Sequence, residues 1–389
     1  MTSGARKVKN MPDTVELAQD LVRFSTVLGE NERTALEYLA GPLEDAGFAC
    51  SFDVYDENRP QSASLIARLH PEDEAPSLYL GGHIDTVPFG NAAWRHDPLG
   101  GVIEDGRLYG RGACDMKGGV AALVRAALDF SLENNASSRK RDLVLHIYGG
   151  EEGGCFGSRV AARRVELFGK PGAGIVAEPS ALMPLSGHKG ALWLTLRTTG
   201  RTAHASMPDK GDNALLSMLR VAARLADFHP DASHKLLGNA TAALTSLHSG
   251  LNSNSIPDKA ELTLDMRTVP GVDHAGLARR VAETTGADAH IEVVYDAPAV
   301  WTDPDLPWSV RVRELTCAIT GDTPEVRCAN FFTDAASVRT VFPDLPLCIL
   351  GPGDPALAHV TDEFCPVEQI RAARRIYVAL IADWYAGRG

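Results

Sequence analysis

Leu78-Tyr-Leu-Gly-Gly-His83-Ile-Asp85-Thr-Val-Pro88 is the stretch on which the reading of this chain turns. It starts apolar, as a buried strand does, and breaks at two glycines. His83 and Asp85 stand two apart, so in an extended chain both point to one face at the strand's end. Two readings fit. One is a packed strand end with a buried histidine bonded to a nearby carboxylate. The other is a metal ligand whose tautomer is fixed by an acid behind it.

Outward from this stretch, strands alternate with helices. Apolar periodicity predicts helices over 14–24 and 32–46, the second ended by Gly47. Short strands are expected over 50–55, 63–69 and 77–80, and a hairpin around Glu104-Asp-Gly106. A helix over 120–132 follows Asp115. A strand over 142–148 runs into Gly149-Gly150-Glu151-Glu152-Gly153-Gly154, and one over 174–177 into Glu178-Pro179. Later, a helix over 308–320 and a strand over 345–350 precede Gly351-Pro-Gly353 and His359, and a helix over 367–385 closes the chain. Taken singly, each site has an ordinary reading: a helix cap for Asp115, a solvated acidic turn for Glu151 and Glu152, a loop histidine for His359. Taken together they repeat one placement, the C-terminal end of a strand, where open α/β sheets bind ligands.

The pattern changes near Gly187. Strands over 192–198, 241–248, 260–267 and 289–295 and helices over 213–228 and 274–284 give a strand–helix–strand–strand–helix–strand order. That is the ferredoxin-like unit. It is expected as an insertion over 187–297 in a catalytic domain made of 1–186 and 298–389, in an α/β chain overall.

Composition narrows the function classes. A chain of 389 residues favours two domains. Its net charge of -12 argues against a general nucleic-acid surface. No apolar run is long enough for a bilayer span, and the basic, polar residues 1–10 lack a signal-peptide core. None of the seven cysteines forms a C-x-x-C pair, which fits a reducing, cytoplasmic setting and no thiolate zinc site.

Carboxylates and imidazoles without cysteine suit zinc, manganese or cobalt used for hydrolysis. Two cations about 3.5–4 Å apart need an anion between them. Asp115 is the candidate bridge. His83 and Glu178 complete one shell, Glu152 and His359 the other. Glu151 is left over, as a free carboxylate suited to general-base work.

These residues resemble the M20 metallopeptidases. His83-Ile-Asp-Thr-Val-Pro88 is similar to H-x-D-T-V-P, and Arg111-Gly-Ala-Cys-Asp-Met-Lys-Gly-Gly119 to R-G-x-x-D-M-K-G-G. Glu151-Glu152 and Glu178-Pro179-Ser180 match E-E and E-P-[ST]. Gly187-His-Lys-Gly190 and Gly200-Arg-Thr-Ala-His204-Ala-Ser-Met-Pro208 resemble the start of the family's lid domain. The resemblance implies a mixed-sheet, metallo-aminopeptidase-like catalytic domain with a lid that also dimerises. It implies two divalent ions, usually zinc, on the ligand set above, with Glu151 as base and Asp85 orienting His83. His204 would come from the lid of a partner subunit. Arg267, Asn254 and Thr333 match substrate-contacting positions. A loop-capping role for His204 and a strand-end ion pair for Arg267 stay open. Leu350-Gly-Pro-Gly353, Ala358-His359 and Asp362-Glu363 lean towards the deacetylase and desuccinylase branch. The expected activity is removal of an N-acyl group from an amino acid. The alternatives are a carboxypeptidase or dipeptidase, and a non-catalytic binding homologue.

Overall fold

The computed structural model describes residues 12–69, 75–133 and 141–388. The expectations for residues 1–10, and for a polar loop at 134–140, lie outside the described residues. The chain divides into two compact units. One holds the residues up to Gly187 together with Trp301–Arg327 and the chain from Thr333 onward. The other holds His188–Val300 and Cys328–Phe332. The last segment falls outside the expected 187–297 because Phe332 packs on Trp193 and Tyr295, at 6.0 and 5.1 Å between ring centroids.

The first unit is built on a large mixed sheet. Six of its strands lie in the order Ala49–Val54, Ala63–Arg68, Leu143–Tyr148, Ser77–His83, Pro171–Val176, Leu347–Ile349. Neighbours among the first three are antiparallel, and the last four run parallel. All of Ser77–His83 is buried, as expected of a strand between two parallel neighbours. The chain leaves this strand towards Leu143–Tyr148 on one side and returns at Pro171–Val176 on the other. Such a reversal leaves a crevice at the carboxyl ends of the strands. His83, Tyr148, Val176 and Ile349 mark those ends.

Helices Thr14–Arg23, Gly118–Glu133 and Val367–Tyr385 pack together and bury Leu17, Leu21, Leu123, Val124, Ile376 and Leu380 in one core with Leu78, Leu80 and Leu145. The first helix starts as its sequence dictates. Asp13 accepts the N–H groups of Val15 and Glu16, and the Glu16 side chain accepts the N–H of Asp13. The hairpin Val102–Glu104 to Arg107–Tyr109 turns at Asp105 and Gly106, both with positive φ, as a tight Asp-Gly turn requires. Several short elements escape the sequence patterns, among them helices Phe156–Ala161 and Ala335–Val341 and strands Leu185–His188 and Phe364–Pro366. They are too short to show a period.

In the second unit the strands follow the order Thr241–Ser249, Lys259–Thr268, Gly190–Thr199, His290–Ala297, every neighbour antiparallel. Helices Ala214–Leu225 and His274–Thr285 cover one face, with Met218, Val221, Leu277 and Val281 against Leu192, Leu194, Leu196, Leu262 and Leu264. Lys259–Thr268 alternates cleanly, which is why its period was legible.

Behind the parallel strands lies a buried polar chain. The Tyr79 and Tyr148 hydroxyls are 3.0 Å apart, and Tyr148 Oη is 2.8 Å from His146 Nδ1. His146 Nε2 faces the Leu167 carbonyl at 3.1 Å. One nitrogen accepts and the other donates, so the ring is neutral. Burial holds its pKa down at about 4. A depressed folded pKa contributes stability that is complete above the unfolded value of about 6.5 and is lost as pH falls through the folded value. The native protein should therefore lose on the order of 3 kcal/mol from this residue between about pH 6.5 and 4. Denaturant unfolding across that range should show a shallower acid decline for His146→Gln. An unchanged slope would remove His146 as the cause.

Candidate metal centre

The expected ligands other than Asp115 lie at or after the carboxyl end of a strand. His83 closes Ser77–His83, Glu151 and Glu152 follow Leu143–Tyr148, Glu178 follows Pro171–Val176, and His359 follows Leu347–Ile349. Asp115 sits in the irregular turn before helix Gly118–Glu133. Close backbone approach makes this possible. A Cβ on Gly351 would lie 2.1 Å from the Ala177 carbonyl oxygen and 2.5 Å from that of Glu178, so only glycine lets the two loops meet.

The side chains converge. His83 Nε2 is 3.1 Å from Asp115 Oδ1 and 3.8 Å from Glu178 Oε1. His359 Nε2 is 3.3 Å from Asp115 Oδ2 and 3.0 Å from Glu152 Oε2. The two oxygens of Asp115 thus face one imidazole each. Ligand atoms of His83, Asp115 and Glu152 all lie within 4.8 Å of one another. Glu151 has a contact of its own: its Oε1 is 3.5 Å from Cys155 Sγ. The strand has already ended at Tyr148, so Glu151 and Glu152 sit in a turn rather than in extended chain.

Asp85 does more than the sequence suggests. The Nδ1 of His83 lies 3.0 Å from the Asp85 backbone carbonyl and 3.6 Å from its carboxylate. The carboxylate takes its hydrogen bonds from the backbone N–H groups of Glu151 and Glu152, both at 3.0 Å. One residue therefore holds the imidazole through its main chain and the acidic turn through its side chain.

The electrostatics call for positive charge. Burial, reinforced by Asp115 and Asp334 against the pull of His83, pushes Glu178 up to about 8. Burial likewise raises Glu151 well above the carboxylate range, with Glu178, Asp334 and Glu152 adding to it. Glu152 is raised by burial and by Asp115. Asp115 is the exception: burial opposes its charge, but hydrogen bonds to His359 and His83 hold it well below its usual value. Its partners respond in kind. Burial alone would lower His83, yet Glu178 and Asp115 keep it well above normal. Contacts with Asp115 and Glu152 lift His359 to about 10. A crowded, buried set of oxygen and imidazole donors that attracts cationic charge this strongly fits divalent metal ions.

The remaining candidates lie elsewhere. Thr333 is fully buried, and its hydroxyl accepts the Ala335 N–H at the start of helix Ala335–Val341. In the second unit Arg267 makes a two-point ion pair with Asp265, both contacts at 2.9 Å, beside Trp193 and Phe332. His204 is exposed, with Nδ1 2.7 Å from Ser206 Oγ, and Asn254 is exposed. Cys114 and Cys155 are buried thiols, and Cys114 Sγ contacts the Asp354 carbonyl. Sequence reasoning missed Asp334. Burial pushes this fully buried acid up to about 6. Its one signal was a lone acid in the apolar run Phe332-Thr-Asp-Ala-Ala336.

Asp85→Ala should strand two buried N–H donors and lower stability by about 2–4 kcal/mol. Urea unfolding measures this, and a loss below about 0.5 kcal/mol would contradict the assigned role.

Comparison with known proteins shows the family. Residues 79–383 match the profile of Peptidase family M20/M25/M40. A succinyl-diaminopimelate desuccinylase of Methylobacterium radiotolerans is 32% identical, over 97% of this chain and 98% of its own. An M20 family metallo-carboxypeptidase of Sulfolobus solfataricus shares the fold at a TM-score of 0.82 and 16% identity, over 97% of this chain and all (100%) of that one. A dinuclear metal-binding M20 peptidase of Bacillus subtilis does so at a TM-score of 0.70 and 15% identity, over 96% and 97%.

Proposed function

The chain belongs to peptidase family M20/M25/M40, and from that footing we propose a metal-dependent amidohydrolase that removes an acetyl- or succinyl-type N-acyl group from an amino acid or a related small molecule. The observation that carries this is Asp115, whose two oxygens face His83 and His359 separately. His83, Asp115 and Glu178 would hold one divalent ion, and Asp115, Glu152 and His359 the other, with zinc favoured and cobalt or manganese acceptable. When bound, such ions polarise a carbonyl and lower the pKa of a coordinated water to about 7.

The chain's own groups do the rest. Glu151 lies at the edge of the ligand set and is the group left to move a proton. It takes one from the attacking water and delivers it to the departing amine nitrogen. Asp85 fixes the turn that aims Glu151 and Glu152. Arg267 is the candidate for a substrate carboxylate, which would share the guanidinium with Asp265. Asn254 is a candidate polar contact.

The second unit serves, in this reading, as a ferredoxin-like lid and dimerisation domain. Its strand order supports the fold type. Leu244 and Leu247 on the edge strand and Leu216 and Leu219 on helix Ala214–Leu225 are exposed, which supports a surface covered by a second copy. His204 would then be supplied across the dimer to polarise the scissile carbonyl. Among the described residues no helix is long and apolar enough to cross a membrane. All seven cysteines are free thiols, which supports a reducing, cytoplasmic setting.

A second reading, a carboxypeptidase or dipeptidase, is favoured by the structural likeness to a carboxypeptidase. Assays of N-acetyl and N-succinyl amino acids against dipeptides, with added zinc or cobalt, separate the two. Glu151→Gln should lower kcat by about 10²–10⁴-fold while metal content is unchanged. Near-normal turnover in that variant would remove Glu151 from the mechanism.

A further inference from the structure

Glu363 lies on the same loop as His359 and its side chain is 1% exposed. Its Oε1 accepts two backbone N–H groups, from Cys114 at 2.8 Å and Asp115 at 3.1 Å. Its Oε2 takes a hydrogen bond from Arg111 Nη1 at 2.7 Å, and Arg111 is itself 3% exposed. Arg111 also donates to the Val360 carbonyl from Nη1 and to the Pro88 carbonyl from Nη2, both at 3.2 Å. The Gly110 N–H donates to the Glu363 carbonyl at 3.0 Å. The guanidinium is 5.0 Å from the Trp94 ring centroid.

These contacts have one geometric meaning. Pro88 belongs to the loop after His83, Asp115 is the shared carboxylate, and Val360 follows His359. A single buried ion pair therefore ties together three loops that carry donors. The main-chain N–H of Asp115 is fixed directly by the Glu363 carboxylate, so the position of the bridging side chain depends on it. Strand Phe364–Pro366, directly after Glu363, pairs with Arg107–Tyr109 and anchors the other end of the same segment.

We propose that Glu363, through Arg111, is the positioning residue that sets the separation of the Asp115 and His359 donors and thereby the affinity of the site they share. Neither residue is one of the proposed ligands. The inference rests on the metal-site reading above and deepens it. Groups that orient metal ligands are typically worth 10–100-fold in metal affinity.

The test is titration of metal-stripped, full-length protein with Co²⁺, followed by calorimetry and by visible absorption. Wild-type protein should take up two equivalents. Glu363→Gln keeps the size and one oxygen for the two N–H donors but loses the charge that holds Arg111. One of its two equivalents should bind 10–100-fold more weakly, and turnover should recover at saturating Co²⁺ with KM for substrate unchanged. A role confined to stability would lower the Tm of the metal-free protein and leave both affinities as in wild type. That result overturns the proposal. If Glu363→Gln does not fold, Arg111→Lys is read in the same way, because it keeps the charge but loses the ties to Val360 and Pro88. Failure of both variants to fold would make the pair a determinant of the fold and overturn the proposal as well. Uptake of fewer than two equivalents by wild type would instead sink the metal reading itself, so the two failures are distinguishable.

Discussion

Asp115, Glu151, Glu152 and Glu178 are crowded and largely buried, and their mutual repulsion is the constraint on which the rest of the structure depends. Two carboxylates about 4 Å apart repel by about 4 kcal/mol at an effective dielectric constant near 20. The cluster shows the consequence. Glu178 is pushed up to about 8, and Glu151 lies higher than its free value by a wide margin. Only Asp115, gripped by two imidazoles, is held low. The donor set is tuned to gather positive charge, and a site of this kind is costly to build unless a cation is part of its working state.

The scaffold meets that cost by rigidity. Four parallel strands deliver their carboxyl ends to one place, and the three packed helices behind them hold the sheet fixed. Glycine at position 351 lets one loop lie against the Ala177–Glu178 backbone. Asp85 and Glu363 each take two backbone N–H groups beside the ligands, which turns flexible loops into fixed ones. Two acids, Asp85 and Glu363, thus brace the backbone next to the acids proposed as ligands. Removing a brace leaves buried donors unsatisfied, whereas removing a ligand relieves repulsion.

Much of this was legible in the residues. Long helices such as Thr14–Arg23 and Val367–Tyr385 carry a clear apolar stripe, and Lys259–Thr268 alternates residue by residue. His83, Glu151, Glu152 and Glu178 stood out as candidates because they recur at the ends of predicted strands, and Asp115 and His359 because they flank the same run of elements. Helices Phe156–Ala161 and Ala335–Val341 were not, because so few residues cannot display a period. Thr333 shows a different limit. It was picked out as a candidate position, but whether its hydroxyl faces a ligand or caps a helix is a matter of direction, which spacing does not encode. Arg267 is similar: the ion pair with Asp265 was one of two open readings, and both residues lie on the same face of one strand.

By itself the sequence determined the class of fold and proposed a donor set, because strand periodicity and residue type are local properties. The tertiary structure decided who touches whom. It placed the oxygens of Asp115 between two histidines far apart in sequence, and gave the Asp85 carboxylate to a turn rather than to His83. It also made Glu363, at the end of a loop, the brace for a carboxylate on the other side of the site. Those pairings depend on which loops the sheet order brings together, and no short-range pattern in the chain records that order.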